Sequence, residues 1–134
     1  MAHHVRLSCV LDVRTAANVE RAFTVYTDLL AENARQDPPA DTFRLSVVPD
    51  YGAHRLWLHD TGTADQQLLI AFVQRCANAL GLTGRWGFQW AQQSDPPSAD
   101  GFGGGAHVLD LATGRTIDRI STSRWLDEHL TGDT

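Results

Sequence analysis

The chain has 134 residues, a net charge of −5 and 43% hydrophobic residues. This length suits one domain, the composition is that of a folded protein, and no apolar run reaches the roughly 18 residues of a membrane-spanning helix. The 11 basic residues are all arginine and are spread from Arg6 to Arg124, which disfavours a nucleic-acid-binding patch and rules out Schiff-base chemistry on lysine.

The first half of the chain alternates strand-like and helix-like patterns. Apolar residues at every second position predict strands, and a repeat of three and four residues, with Thr15 as N-cap, predicts a helix. The second and third strands are close enough along the chain to form a hairpin. The predicted elements are a strand over 4–13, a helix over 17–34, a strand over 42–49 and a strand over 54–60.

A second long helix follows over 64–80. Thr63 and Gln66 have the spacing of a capping box at its start, and Gly81 followed by Leu82 is typical of a helix end. The strand-like pattern begins close to Met1, without the apolar stretch of a signal peptide, so we expect a cytoplasmic protein.

The remaining elements are strands and one short helix. Trp86, Phe88 and Trp90 share one face of a strand over 85–93, which favours packing in a core. A hairpin of strands over 106–111 and 116–121 follows, and Thr122 or Ser123 caps a helix over 123–130 whose Trp125 we expect to pack against the sheet. Residues 131–134 are expected to fray.

This order predicts a single α+β domain over residues 1–130. The first six elements match a ferredoxin-like β-α-β-β-α-β core, and the C-terminal hairpin and short helix are additions to it.

The glycine-rich run at 100–111 is the most conspicuous chemical signal. Gly101-x-Gly103-x-x-Ala106 has the spacing of a dinucleotide-binding turn, but a phosphate site needs a helix after the glycines, and a strand follows here. We therefore interpret the glycines as a hinge or bulge. The alternative is a ligand loop of Gly103, Gly104 and Gly105 that acts with His107 and Asp110.

The predicted loop over 92–105 is long enough to suggest contact with a partner. Its Asp95, Asp100 and Phe102 are candidate partner-binding residues. Trp57 is another candidate because it points away from Leu56 and Leu58 on its strand, so that it can anchor an interface.

The polar residues assemble no recognisable catalytic or metal motif. His54 and His59 fall on opposite faces of a strand, as do His107 and Asp110, and Asp110 and Asp118 are expected to be surface residues even if they face each other across the hairpin. Asp60 is a further isolated candidate for acid–base work. Two other residues, Cys9 and Cys76, are expected to be buried thiols. We predict no metal, no cofactor and no catalytic residue.

Three motifs in residues 86–130 resemble one group of proteins. They are W-G-F-x-W-A at 86–91, F-G-G-G-A-x-V-L-D-L at 102–111 and T-x-x-W-L at 122–126. The group consists of small uncharacterised proteobacterial proteins carried on plasmids, prophages and integrative elements. The resemblance implies mobile-element cargo, which includes compact acidic proteins such as anti-CRISPR proteins that disable host defence machinery.

Three functions remain open at this point. The leading hypothesis is a non-enzymatic acidic protein-binding module whose partner has a basic surface, such as an inhibitor of a host defence complex. The first alternative is a small enzyme or ligand-binding domain that uses the glycine run with His107 and Asp110. The second is a structural module that forms homodimers. We expect no direct contact with nucleic acid or membrane.

Overall fold

The structure, a computed structural model, describes residues 2–131 of the chain. It is an α+β fold with one six-stranded antiparallel sheet and, within those residues, three α-helices. The elements are β1 (Ala2–Asp12), α1 (Ala16–Ala34), β2 (Arg44–Val47), a 3-10 turn (Pro49–Tyr51), β3 (Arg55–His59), α2 (Gln66–Leu80), β4 (Arg85–Asp95), β5 (Gly103–Asp110), β6 (Arg115–Ser121) and α3 (Thr122–Thr131).

The ends of the two long helices follow ordinary capping chemistry. The Thr15 hydroxyl accepts a hydrogen bond from Asn18 N, as predicted for the start of α1. The predicted capping box of α2 is wrong: Asp65 is its N-cap, because Thr63 is occupied in accepting a bond from Val5 N. Gly81 ends α2 in the left-handed conformation, with φ of 66°.

The strand order is β2-β3-β1-β4-β5-β6, and each neighbouring pair is antiparallel. Strand β1 is shared between two partners, since its residues 2–7 pair with β4 and its residues 8–12 pair with β3. Where β3 ends, the Asp60 carboxylate accepts bonds from Leu7 N at 2.8 Å, from Gly62 N at 2.8 Å and from Arg6 Nε at 2.8 Å. Asp60 thus continues the pairing of β1 beyond the end of β3.

The hydrophobic core lies on the face of the sheet that α1 and α2 cover. Phe43 and Phe72 pack edge-to-face inside it with ring centroids 5.4 Å apart, and Trp86 and Phe88 extend it along β4 as predicted. The opposite face is open, and small or polar residues such as Gly87, Gln89 and Ala106 occupy its middle.

The C-terminal hairpin and α3 extend the sheet on the β4 side. No residue of β6 or α3 is buried, although α3 contacts both β5 and β6. The predicted packing of Trp125 is confirmed only in part, because Trp125 lines a cleft against the sheet but 55% of its surface is exposed. The predicted caps are wrong too: Thr122 donates to Gly104 O at 3.0 Å, and Ser121 Oγ accepts from Arg124 N.

Three further expectations need correction or fall outside the structure. Asp110 and Asp118 do not face each other across the hairpin, because Asp110 pairs with Arg115 and Asp118 with Val108. Of the predicted frayed tail, Thr131 is the last residue of α3. The other residues, 132–134, lie outside the described part of the chain.

Candidate functional site

The connection between β4 and β5 is shorter than predicted. Strand β4 continues to Asp95 and β5 begins at Gly103, so the β4–β5 loop comprises residues 96–102. The glycines at 103–105 therefore lie in a strand and not in the predicted loop, opposite residues 90–92 of β4. Their lack of side chains is needed for packing, because a Cβ on Gly105 would collide with Ile120 O and with the Trp90 ring.

Internal hydrogen bonds hold the β4–β5 loop in one shape. The buried Ser94 hydroxyl donates to Pro96 O at 3.0 Å, and Ser98 Oγ accepts from Gly101 N at 3.0 Å. Gly101 is buried against Ser94, with which a Cβ would collide, so the loop closes over a glycine. The loop presents Phe102, which is 62% exposed.

Carboxylates flank this aromatic side chain. Asp95 ends β4 and Asp100 lies two residues before Phe102, and both are exposed. Neither takes part in an ion pair within residues 2–131. Asp95 and Phe102 line an open cleft of about 610 Å³ together with His4, Gln93, Ser94, Pro97 and Ser98. The structure therefore brings three of the four predicted partner-binding residues to one end of the sheet.

Trp57 does not belong to that surface. It lies on the open face of the sheet, half-buried, where its indole N–H donates to Ser8 Oγ at 2.7 Å and its ring stacks on His59 at 3.8 Å. Trp57 pairs with Val10, whereas Asp95 pairs with Ala2. The eight residue steps from Ala2 to Val10 span about 26 Å of strand, so Trp57 and Asp95 cannot contact the same small epitope.

The residues of the predicted ligand loop are not assembled into one centre. The Asp110 carboxylate faces the turn after β5, where it accepts bonds from Ala112 N at 3.2 Å and Thr113 Oγ1 at 3.1 Å. His107 is buried on the opposite face of β5, and its Nε2 lies 2.8 Å from Thr116 Oγ1. Asp110 therefore stabilises the hairpin and does not orient the imidazole.

His107 instead lines a cleft between α3 and the N-terminus of α2. The cleft measures about 400 Å³, and Gln66, Gln67, Trp90, Arg119, Ile120, Ser121, Arg124, Trp125 and Glu128 complete its wall. Burial, and to a lesser extent the Arg119 guanidinium, lower the pKa of His107, so the imidazole is neutral at pH 7. A neutral imidazole can accept or donate a hydrogen bond, and two arginines beside it can donate to a polar ligand.

Asp60 and His59 have structural partners, whereas the buried Nδ1 of His54 has no hydrogen-bond partner among the described residues. Asp60 binds the backbone of β1, and His59 Nδ1 lies 3.0 Å from Asp60 O. Within residues 2–131, no three His, Cys, Asp or Glu side chains are grouped as metal ligands would be. Burial raises the pKa of Cys9 and of Cys76 to about 12, so neither thiol is an activated nucleophile at neutral pH.

Sequence reasoning missed the apolar surface of α3. Trp125, Leu126 and Leu130 are 55%, 49% and 74% exposed, and Ile117 and Ile120 of β6 are also exposed. The sequence signal for this surface is the helical spacing of apolar residues over 122–131. The same spacing also predicts packing against the chain's own sheet, and spacing alone does not distinguish the two.

Comparison with protein-family models, curated proteins and solved structures gives no match for this chain. No helix among the described residues is long and apolar enough to cross a membrane.

Proposed function

We propose that this chain is a non-enzymatic, acidic protein-binding module that contacts its partner through the β4–β5 loop and the adjoining end of β4. The single observation that supports this proposal best is Phe102, a large aromatic side chain that is 62% exposed on a loop closed by internal hydrogen bonds. An exposed aromatic on a rigid support is the usual anchor of an interface, because little conformational entropy is lost when it binds.

The surroundings of Phe102 indicate what the partner surface is like. Asp95 and Asp100 take part in no ion pair within residues 2–131, and the chain as a whole carries a net charge of −5. The complementary surface is an apolar pocket rimmed by arginine or lysine. Charge of this kind raises the association rate and selects among partners, while the burial of Phe102 supplies affinity.

The proposed target, location and fold each rest on a different observation. Inhibition of a host defence complex by mobile-element cargo of the anti-CRISPR type rests on the resemblance of residues 86–130 alone. The cytoplasm is the proposed location, where two free cysteines remain reduced. A ferredoxin-like core is the proposed fold, supported by the order β2-β3-β1-β4 and by the two long helices that contact each other.

The test is capture of the partner from the host, followed by affinity measurement with the purified partner. Phe102→Ala is expected to weaken binding roughly tenfold or more, as for a central aromatic anchor. Asp95→Asn with Asp100→Asn is expected to slow association and flatten its dependence on salt. The matched control, Glu20→Gln with Asp50→Asn, removes two exposed carboxylates elsewhere and should change neither. Binding that is unaffected by Phe102→Ala and equally fast at all salt concentrations would refute the proposal.

A second candidate function is small-molecule binding in the cleft lined by His107, Arg119 and Trp125. The observation in its favour is that two tryptophans, two arginines and a neutral imidazole line one cavity of about 400 Å³. A single centre formed by Gly103–Gly105, His107 and Asp110 does not fit the positions of those residues. A ligand that quenches tryptophan fluorescence in the wild type, but not in His107→Ala or Arg119→Ala, would establish the site.

A further inference from the structure

Helix α3 leaves its two leucines exposed where it lies against its own domain. Arg124, Trp125 and Glu128 line the cleft against α2 and the sheet. On a helix of 3.6 residues per turn, Trp125, Leu126, His129 and Leu130 form one continuous stripe. Leu126 and Leu130 are absent from the cleft wall, and their exposed fractions of 49% and 74% show that the leucines of this stripe face away from the core.

The preceding strand adds to the same exposed end of the molecule. β6 is an edge strand of the sheet, and all seven of its residues are exposed. Its outer edge presents unpaired backbone groups, and its apolar residues Ile117 and Ile120 are 42% and 51% exposed. Of the eight large apolar side chains that are exposed in residues 2–131, five therefore lie between residues 117 and 130.

We infer that β6 and α3 form the interface of a homodimer, in which a second copy of this chain covers the apolar stripe. The two α3 helices pack against each other about a twofold axis, and the two β6 edges lie beside them. In such an isologous contact, Leu126 and Leu130 of one copy meet the same stripe of the other.

Charge favours a second copy over a partner of opposite charge at this surface. Residues 115–131 contain three arginines and three carboxylates, so the segment is neutral without its histidine, and the net charge of −5 belongs entirely to the rest of the chain. Two such segments can approach without net repulsion, whereas a strongly basic partner gains little there. The charged residues are Arg115, Asp118, Arg119, Arg124, Asp127 and Glu128.

The exposed area is also of the right order. Taking about 200 Å² for a full side chain of this kind, the exposed fractions of Trp125, Leu126 and Leu130 amount to roughly 350 Å² of apolar surface per copy. Two copies would bury about 700 Å² of apolar surface, and because dimer interfaces are about 65% apolar, the whole interface would be roughly 1,100 Å², the lower end of specific interfaces. The inference stands on α3 and β6 and is independent of the β4–β5 loop.

The test is sedimentation equilibrium of the full chain over a wide range of concentrations. The wild type is expected to change from 14.7 kDa to twice that mass as the concentration rises. Leu126→Glu and Leu130→Glu are each expected to raise the dissociation constant tenfold or more, since each change occurs twice in the dimer. The matched control is Val47→Glu, which places the same charge on an exposed apolar residue of the other edge strand, β2, and should leave the mass unchanged.

Two results would overturn the inference. One is a wild type that remains at 14.7 kDa at every concentration. The other is a dimer that Val47→Glu dissociates and that both leucine variants leave intact. Far-UV circular dichroism verifies that each variant is folded, and the dimer of the wild type should persist from low to high salt, because the interface is apolar and neutral.

Discussion

Helices α2 and α3 are both amphipathic, but only one of them is buried. α2 places its apolar stripe in the core, where Leu69, Phe72 and Val73 are inaccessible to solvent. α3 has no buried residue, and its leucines face solvent. The difference shows that an amphipathic pattern predicts burial of one side of a helix, but not which molecule buries it. If the contrast is real, substitutions in the core should lower the free energy of unfolding far more than substitutions in the leucines of α3.

The largest expected effect is in α2. Leu69→Ala removes a side chain with 0% exposure from the centre of the core and leaves a cavity. We expect a loss of about 2–5 kcal/mol in the free energy of unfolding, measured by urea denaturation. A loss below about 1 kcal/mol would mean that α2 is packed no better than α3 and would remove the contrast between them.

A second change tests whether the C-terminal hairpin is docked as closely as the structure shows. Gly105→Ala introduces a methyl group against Ile120 O and the Trp90 ring, so β6 must shift relative to β4 and β5. Overpacking of this kind costs about 1–3 kcal/mol. A substitution without effect on stability would contradict the close approach of β5, β6 and Trp90.

Asp60, at the junction of β1 and β3, is expected to make the free energy of unfolding depend on pH. Burial alone would raise the pKa of Asp60, but bonds from Gly62 N, Leu7 N and Arg6 outweigh it and lower that pKa below its ordinary value. Because the folded pKa is the lower one, the stabilisation is present above the unfolded pKa near 3.8 and is lost as pH falls through the folded pKa.

Asp60→Asn is therefore expected to cost about 1–3 kcal/mol at pH 7 and progressively less in acid. Urea denaturation at several pH values measures both quantities. A variant whose deficit is equally large at pH 7 and in strong acid would show that the charge of Asp60 is not what stabilises the junction of β1 and β3.

The smallest expected effect is in α3. Leu130 is 74% exposed, so Leu130→Ala should change the unfolding free energy of dilute, monomeric protein by less than about 0.5 kcal/mol. The same substitution should weaken self-association. A large loss of stability at low concentration would instead show that Leu130 packs within its own chain.

Local sequence patterns predicted the elements and the core well. The period-2 and period-3.6 repeats gave each strand and helix within a few residues, and the Trp86–Phe88 face is buried as expected. The errors lie where two signals competed. Thr63 fits a capping box, but β1 needs its hydroxyl, and the nearby Asp65 caps α2 instead.

The candidate site was harder to predict, because its geometry depends on pairing between distant strands. The glycines at 103–105 suggested a loop, yet they form a strand because Trp90 and Ile120 approach their backbone. That Asp95 and Phe102 share a cleft, whereas Trp57 lies elsewhere, follows from the register of β1 with β3 and β4. No local pattern encodes that register, and none shows that Leu126 and Leu130 of α3 face away from their own domain.

The most direct test of the central claim, that α3 is covered by a second copy, is amide hydrogen exchange followed by mass spectrometry at several protein concentrations. Dimer formation predicts that exchange in peptides covering Thr122–Thr131 slows as concentration rises, while exchange in Gln66–Leu80, already protected by the core, does not change. Exchange in α3 that is equally fast at every concentration would contradict the account.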